Sequence, residues 1–566
     1  MINQKSKQPF FLARGDVRFT LCADTCPVPH GVWMQLPANG ALPVPDTLPG
    51  DRLILPIDEG VALPVDHRVA PGEIDLDGLT RARCGREKTV NLFLLERGGR
   101  CLAITTDNGL HTGYALRWAD CRYRLTLTAD RPVTVSYAVF DSAAEACRAY
   151  RSTVIDRTVP LRDKLARTPA LTRLVGGAIF WVWNDRYDEV MYADHDTDIA
   201  PDTGDALLEV AADLHDAGVD RAMFGIFFDG DSRLVQPLAD RFGYIATQYD
   251  NYNDVLNPAL LDIVPNNRVR NCGYTARRMK DYPDGIAVSR DGQLGTAWAL
   301  KGFDGRMHPQ NCLCPQVAAD RMREEIPPVL AQYPAYRSRF IDVYGGGVGE
   351  CFSPAHPLTL AQCLAVKRDA FAALQDMGLI VGTEDGFEDL INVLDYTEGL
   401  HSPVVLRNVD SGRNHAHIYT DAQAAFVDRY MLNPAYRFPM FELVYHDCMM
   451  TFPYWGDSTE MSPAQIRQKT LFACLFGCPP LYSFRVGDYA RLRASILFSY
   501  RTVSAVHRVV ATLPMTDYAV CTPDFAVQRT VFGDRYEVVA NFGSTPYVFH
   551  GARIDPLDLY WGEIAR

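Results

Sequence analysis

Three regimes of hydrophobic and polar patterning divide the chain. Up to about residue 168, apolar and polar positions alternate in short runs, among them Val17-Arg-Phe-Thr-Leu21, Val90-Asn-Leu-Phe-Leu-Leu95, Tyr123-Arg-Leu-Thr-Leu-Thr128 and Val133-Thr-Val-Ser-Tyr-Ala-Val139, broken by Gly, Pro and Asp turns. Period two with frequent turns predicts a β-sandwich. A helix-like stretch from Ser142 to Ile155 then leads through Thr158, Pro160 and Pro169 into the second regime, residues 169–513. Short, nearly continuous apolar runs there alternate with helix-like segments such as Gly204 to Ala217, Pro357 to Met377 and Tyr489 to Thr512. The predicted strands are Gly177–Trp183, Ala222–Phe228, Gly243–Tyr249, Thr296–Leu300, Phe340–Val343, Gly378–Glu384, Phe441–His446 and Pro480–Phe484. Runs apolar on both faces suit parallel strands covered by helices. The third regime, residues 514–566, returns to alternating β-runs at Phe525–Phe532, Tyr536–Asn541 and Tyr547–Phe549.

The expected fold is therefore α/β: a (β/α)8 TIM-type barrel at 169–513, flanked by an N-terminal β-sandwich at 1–168 and a small C-terminal β domain at 514–566. A doubly wound open sheet would also alternate, but no Gly-rich phosphate turn of the GxGxxG or Walker type supports it.

Polar and aromatic residues gather at the C-terminal ends of the predicted strands, where barrels carry their chemistry. The stretch Phe340-Ile-Asp-Val-Tyr-Gly-Gly-Gly347 places Asp342 inside an apolar run, and Gly378-Leu-Ile-Val-Gly-Thr-Glu384-Asp-Gly386 repeats the pattern with Glu384. Their spacing is that of neighbouring strands in a βα repeat, so both carboxylates face one mouth. Paired acids can cleave a glycosidic bond, one protonating the departing oxygen while the other attacks or stabilises the oxocarbenium-like centre. Sugar recognition adds aromatic platforms and carboxylates for hydroxyl pairs. Strand ends supply Trp181, Trp183, Tyr249, Tyr252, Trp298, Tyr344, Tyr454 and Trp455, with Asp185, Asp229, Asp250, Asp447, Asp457, Lys301 and His446 as polar partners.

Composition narrows the class. With 48% hydrophobic and 22% charged residues the chain is an ordinary globular protein, and a formal charge of −13 without a Lys/Arg cluster argues against nucleic acid as a partner. The amino terminus lacks the apolar core of a signal peptide, and no stretch reaches the roughly 18 apolar residues of a membrane span, so a cytoplasmic location is expected. Its partner is then a small-molecule carbohydrate, with a homo-oligomer left open. The 15 cysteines are scattered, as suits reduced thiols. Cys312-Leu-Cys314 is tighter than a CxxC knuckle, and no second Cys/His pair of zinc spacing follows, so no metal or other cofactor is expected, although acid-rich loops leave room for a structural calcium.

The motifs Phe340-Ile-Asp-Val-Tyr344, Glu350-Cys-Phe-Ser-Pro-Ala-His356-Pro-Leu-Thr359, Lys367-Arg368 and Gly378-Leu-Ile-Val-Gly-Thr-Glu384-Asp-Gly386 resemble the core of glycoside hydrolase family 129, a relative of the family 101 endo-α-N-acetylgalactosaminidases. Phe441-Glu-Leu-Val-Tyr-His-Asp447 and Tyr454-Trp-Gly-Asp457 extend the likeness, which covers roughly residues 175 to 510. The resemblance implies a retaining mechanism on an α-linked galactose-type sugar, with Asp342 as nucleophile and Glu384 as general acid/base. This chain carries Gly382-Thr-Glu-Asp where the family pattern has Gly-Ser-Glu-Gly.

Blander roles compete for each residue. A strand-end Asp commonly caps a helix, Glu384 could pair with Lys367 or Arg368, and buried tryptophans commonly pack a barrel. His356 and His446 could each bond a sugar hydroxyl or be satisfied core histidines. Asp229-Gly-Asp231 and His195-Asp-Thr-Asp198 resemble fragments of metal loops but read first as solvated turns, and Glu388-Asp389 reads as a helix start. Two other classes stay in view: a carbohydrate-binding protein on a barrel scaffold, and a metal-dependent barrel enzyme such as an aldolase or isomerase.

Overall fold

The structure is a computed structural model that describes residues 10–14, 17–21, 32–43, 46–67, 88–186, 203–264, 278–400 and 418–564. In the N-terminal part, an antiparallel six-stranded sheet runs in the order Val32–Leu36, Val133–Phe140, Arg100–Thr106, Leu92–Arg97, Arg52–Leu55, Val61–Pro64. A three-stranded sheet of Gly40–Pro43, Arg122–Ala129 and Thr112–Ala119 lies against it. Strand Arg122–Ala129 alternates half-buried and buried residues without a break, and its Leu125 and Leu127 join Phe93, Leu102 and Ile104 of the larger sheet in one core. That shared core makes the pair a sandwich. Helix α1 (Ala143–Val154) follows, capped by Ser142, whose hydroxyl accepts the Glu145 N–H.

Eight parallel strands come next: β1 (Ala178–Trp183), β2 (Ala222–Ile226), β3 (Ile245–Asn251), β4 (Ser338–Asp342), β5 (Ile380–Gly386), β6 (Tyr396–Leu400), β7 (Met450–Phe452) and β8 (Leu481–Arg485). They hydrogen-bond in the order β7-β6-β5-β4-β3-β2-β1-β8, a nearly closed (β/α)8 barrel. Helices α2 (Asp205–Asp216), α3 (Val235–Phe242), α4 (Pro315–Gln332), α5 (Leu360–Asp376), α6 (Met440–Tyr445), α7 (Ile466–Phe476) and α8 (Tyr489–Val510) accompany them. Thr359 starts α5 with a reciprocal capping box to Gln362. Period-two alternation sorts each strand between two cores: Ile179, Trp181 and Trp183 of β1 face the barrel interior, while Ala178, Phe180 and Val182 face the helices. Interior aromatics fit because glycines yield space; a Cβ on Gly225 would fall 2.1 Å from the Trp181 ring, and one on Gly382 2.0 Å from Tyr396.

Two predicted barrel strands are replaced. Thr296–Lys301 belongs to an antiparallel sheet with Asp254–Val255 and Met307–Cys312, inserted between β3 and β4. Its alternating exposed and half-buried residues mark a solvent-facing ribbon, whereas barrel strands are buried on both sides. Phe441–His446 is not a strand either: Met440–Tyr445 is helix α6, buried against the C-terminal sheet, and the barrel strand is the short β7 beyond it. A six-residue apolar run does not distinguish helix from strand by pattern alone. The strands absent from the sequence reading are β6, whose Thr397 and Glu398 hide its burial, and the three-residue β7.

The C-terminal part is a four-stranded antiparallel sheet, Met515–Val520, Val527–Phe532, Tyr536–Asn541 and Asp558–Glu563, with a ribbon of Tyr547–Phe549 and Ala552–Ile554. Met515, Phe532 and Val538 share a core with Phe441 and Val444 of α6, so this sheet borrows its packing from the barrel. Among the described residues, no helix is long and apolar enough to cross a membrane.

Candidate active site

Strands β3 to β6 bring their inward side chains to one end of the barrel. Inward parity is fixed by the interior residues Tyr249, Phe340, Ile380 and Tyr396, so Asn251, Asp342, Glu384 and Glu398 share that side. Asn251 pairs in register with Asp342, Ile341 with Thr383, and Glu384 with Glu398. The register sets Asp342 and Glu384 at one level of neighbouring strands, which run about 4.8 Å apart. Each acid is followed by a non-glycine residue in the left-handed region, Val343 at φ 59° and Asp385 at φ 59°. For β-branched Val343 this is a rare and strained conformation of the kind that collects at functional sites. Asp385 occupies the place where the family pattern has glycine, and its backbone keeps the conformation that glycine favours.

Asp342 is buried, 5% exposed, and its Oδ2 accepts two hydrogen bonds from β3: Tyr249 Oη at 2.5 Å and Asn251 Nδ2 at 3.0 Å. Asn251 is itself oriented by its Oδ1, which accepts the N–H groups of Asn253 and Asp254. This chain of contacts fixes the carboxylate's rotamer. Beyond it, Gly345 lies close over β5, its N–H donating to Thr383 Oγ1 at 3.0 Å, and a Cβ there would meet Thr383 at 2.4 Å. The glycine-rich turn thus folds onto the strand that carries Glu384.

Glu384 is half-buried, which leaves a route to the mouth. Its register partner Glu398, absent from the sequence reading, is fully buried, with Trp181 Nε1 donating to its two oxygens at 3.1 and 3.0 Å. Burial pushes the Glu398 carboxyl well above the ordinary glutamate range; the Trp181 N–H draws it partly back, and the Glu384 charge adds to the rise. The folded protein therefore holds a proton that the unfolded chain releases. Wild-type stability is present in full below the ordinary glutamate pKa and declines as pH rises through the elevated one. Glu398→Gln is expected to remove that decline, so the Tm difference between variant and wild type, read by thermal melts from acid to alkaline pH, widens in the variant's favour as pH rises. A pH-independent difference would contradict the assignment.

The other predicted residues divide by location. Trp183 packs inside the barrel at 1% exposure, with its Nε1 donating to Ser483 Oγ at 2.8 Å and its ring against Trp181 and Phe227. Asp185 and Asp229 are exposed beyond β1 and β2; Asp185 accepts the Gly487 N–H at 2.7 Å, and Gln248 Nε2 approaches Asp229 at 3.3 Å. Trp298 and Lys301 are exposed on the inserted ribbon. Tyr454 and Asp457 line a cavity of about 160 Å³ between the ends of β6 and β7 and the N-terminal segment around Glu59, whose lining does not include Asp342 or Glu384. There Asp457 accepts the Tyr419 hydroxyl at 2.9 Å. The Trp455 side chain and the His195–Asp198 stretch lie outside the described residues.

Five expectations are corrected. Asp250 alternates with Tyr249 and faces outward into a buried ion pair with Arg339, 3.1 Å away. Burial raises its pKa in spite of Arg339 and Arg278. Tyr252 also points outward, beneath the Arg278 guanidinium at 4.1 Å. Tyr344 turns toward the helices, its hydroxyl donating to the Pro315 carbonyl at 3.1 Å and its ring lying under Lys367. His446 is a core histidine with its ring nitrogens 2.8 Å from the Leu513 carbonyl and 3.0 Å from the Gly477 carbonyl, one of them donating, and burial lowers its pKa. Asp447 binds Arg151 of α1 through two bonds of 2.7 and 2.9 Å. Asp231 is likewise structural, accepting N–H groups of Thr203 and Gly204 ahead of α2.

For Asp250 the correction has a measurable consequence. Asp250→Ala leaves the fully buried Arg339 without its carboxylate, and is expected to cost about 3–5 kcal/mol in denaturant unfolding. A sugar ligand at this position would instead raise KM with stability unchanged.

A (β/α)8 barrel with carboxylates at the C-terminal ends of adjacent strands is an architecture that glycosidases use. The chain belongs to the family described as glycosyl hydrolases related to GH101 family, GH129, whose profile matches residues 213–531. No curated protein sequence matches it. Among solved structures, ligand-free α-N-acetylgalactosaminidase NagBb from Bifidobacterium bifidum is similar with a TM-score of 0.65 and 17% identity, over 90% of this chain and 83% of that one. The same enzyme in complex with GalNAc gives 0.61 and 16% over 94% and 93%, and in complex with Gal-NHAc-DNJ 0.64 and 16% over 97% and 94%. At such identities the likeness is one of fold. Family membership makes the chain a glycosidase, and the binding-protein and aldolase or isomerase readings are set aside.

Proposed function

We propose that the protein is a retaining glycosidase acting on α-linked N-acetylgalactosamine, with Asp342 as nucleophile and Glu384 as general acid/base. The observation that carries this reading is the placement of the two acids: Asp342 held by Tyr249 and Asn251, with half-buried Glu384 at the same level of the next strand. Family membership and the NagBb complexes with GalNAc and an analogue support the choice of sugar.

In the first step an Asp342 oxygen attacks the anomeric carbon as Glu384 gives its proton to the glycosidic oxygen. The bond to the aglycone breaks, the aglycone leaves as an alcohol, and a β-glycosyl ester of Asp342 remains. The charge on Asp342 is thereby lost, which allows Glu384 to stay ionised and take a proton from water. That water attacks the same carbon, releases the α-sugar and restores the Asp342 carboxylate. Such a pair works at a carboxyl separation of about 5–5.5 Å. Glu398 is a poor rival for the proton donor, because full burial behind Trp181 denies it the glycosidic oxygen. Asp185 and Asp229, exposed at the ends of β1 and β2, are proposed to meet sugar hydroxyls at the rim.

The deciding experiment is hydrolysis of nitrophenyl α-N-acetylgalactosaminide followed by proton NMR, with nitrophenyl α-galactoside alongside. The α-anomer is expected to appear first. Initial release of the β-anomer would exclude a glycosyl ester on Asp342, and preference for the galactoside would move the substrate to the 2-hydroxyl sugar.

A further inference from the structure

We propose that Cys314, Cys351 and His356 are the protein ligands of a Zn²⁺ ion that fastens the loop between β4 and α5 to the start of α4. One donor atom from each residue lies within 4.8 Å of the other two. The sequence reading looked for local Cys/His pairs and expected no zinc; the fold assembles the set from two distant segments. Cys314 is the residue at the N-cap of α4, and Cys351 and His356 belong to a hairpin whose ends, Cys351 and Leu358, exchange both backbone hydrogen bonds at 2.8 Å. Among the described residues this is the one cluster of three or more such side chains, and its two sulfurs suit a thiophilic cation rather than the calcium that acid-rich loops suggested.

The Cys351–His356 edge fits zinc. Cys351 Sγ and His356 Nδ1 are 3.4 Å apart. With bonds of about 2.3 Å to sulfur and about 2.0 Å to nitrogen, the S···N edge of a zinc tetrahedron is about 3.5 Å. His356 Nε2 lies 2.7 Å from the carbonyl of Asp284, which can only accept, so Nε2 carries the proton and Nδ1 turns its lone pair toward the sulfur. A metal-bound imidazole is oriented by the same kind of outer hydrogen bond. The sulfurs have donors as well: the Val288 N–H points at Cys351 Sγ at 3.4 Å, and the Gln316 and Val317 N–H groups at the start of α4 serve Cys314. Without metal, Cys314 has a weak S–H contact of 3.6 Å to the His356 carbonyl, and neither thiol is in a disulfide. Three protein donors leave the fourth position to water on the half-buried His356 side. The tethered loop is the one that follows Asp342 and carries the glycine-rich turn, yet the inference stands on ligand geometry and holds whatever the enzyme's substrate.

The test uses the full chain, purified under reducing conditions, loaded with ZnSO₄ or CoCl₂ and freed of excess by gel filtration. Wild type is expected to retain a single Zn²⁺ per chain by elemental analysis and to melt at higher temperature than chelator-treated protein. Its Co²⁺ form is expected to show thiolate-to-cobalt charge-transfer absorption. Cys351→Ser is expected to lose that absorption and to bind zinc at least about 100-fold more weakly, a loss no smaller than outer-shell changes produce. His356→Ala, which leaves both sulfurs in place, is expected to weaken zinc while keeping part of the charge-transfer band, so the proposal stays testable if the serine variant folds poorly. Absence of the band in wild type, undiminished zinc in Cys351→Ser, or a Cys314–Cys351 disulfide in the native protein would each overturn it.

Discussion

Asp342→Asn is expected to lower kcat on nitrophenyl α-N-acetylgalactosaminide by about 10⁴-fold or more, roughly 5 kcal/mol of transition-state stabilisation. The amide is isosteric and can still accept from Tyr249 or Asn251, but it cannot form the glycosyl ester through which both half-reactions of the proposed mechanism pass. Loss of kcat is therefore expected to come with an unchanged far-UV spectrum and a Tm within a few degrees of wild type. This separation of activity from stability is what distinguishes a nucleophile from a buried structural acid. Asp250 supplies the contrast, since its substitution attacks stability through stranded Arg339. A variant that retains more than about one per cent of kcat, or one that loses activity only by unfolding, would remove Asp342 from the chemistry. Tyr249 belongs to the same argument: expected among the sugar-binding aromatics, it donates to Asp342, so Tyr249→Phe is expected to act through the position of the proposed nucleophile.

What could be read from the sequence follows from how strongly each element is buried. Strands β1 to β5 and β8 are buried on both faces along most of their length, and the apolar runs within them stand out against amphipathic helices. Asp342 and Glu384 were visible because a carboxylate inside such a run is costly to bury and needs a reason to be there. β6 carries the same signal, an acid in the short run Tyr396-Thr-Glu398-Gly-Leu400, but Thr397 and Gly399 dilute the apolar pattern that would have drawn attention to it. The false strand at Phe441–His446 misplaced His446 and Asp447 together, because a residue after a helix on the barrel's flank cannot reach the mouth. Asp250 and Tyr252 failed for a finer reason. Alternation makes them neighbours of Tyr249 on the opposite face, and only the packing of Tyr249 with Trp181 and Phe227 shows which face is inward. The Cys314, Cys351 and His356 cluster depends on how the loop after β4 folds back on α4, which no spacing rule encodes.

Glu384→Gln is expected to separate substrates by leaving group. An aryl glycoside departs as a phenolate that needs little proton help, so its glycosylation step is expected to survive; an alkyl glycoside, such as a serine-linked sugar, is expected to lose about 10²–10⁴-fold, the range of general acid catalysis. Deglycosylation is expected to suffer for every substrate, because in the proposed mechanism the same side chain activates water. The aryl substrate is therefore expected to give a burst of phenol followed by a slow steady state, with the glycosyl ester on Asp342 visible as added mass on the intact chain. Azide, which needs no base, is expected to restore turnover: with Asp342 bearing the β-linked ester, its attack inverts that carbon and yields the α-glycosyl azide, whereas azide standing in for a lost nucleophile would give the β-glycosyl azide. The anomer of the azide thus reports which acid holds the sugar. An α-azide assigns the ester to Asp342, whereas a β-azide exchanges the two roles. Glu398→Gln serves as the control, since an acid sealed behind Trp181 has no leaving group to protonate, and equal loss on aryl and alkyl substrates there would separate its role from that of Glu384.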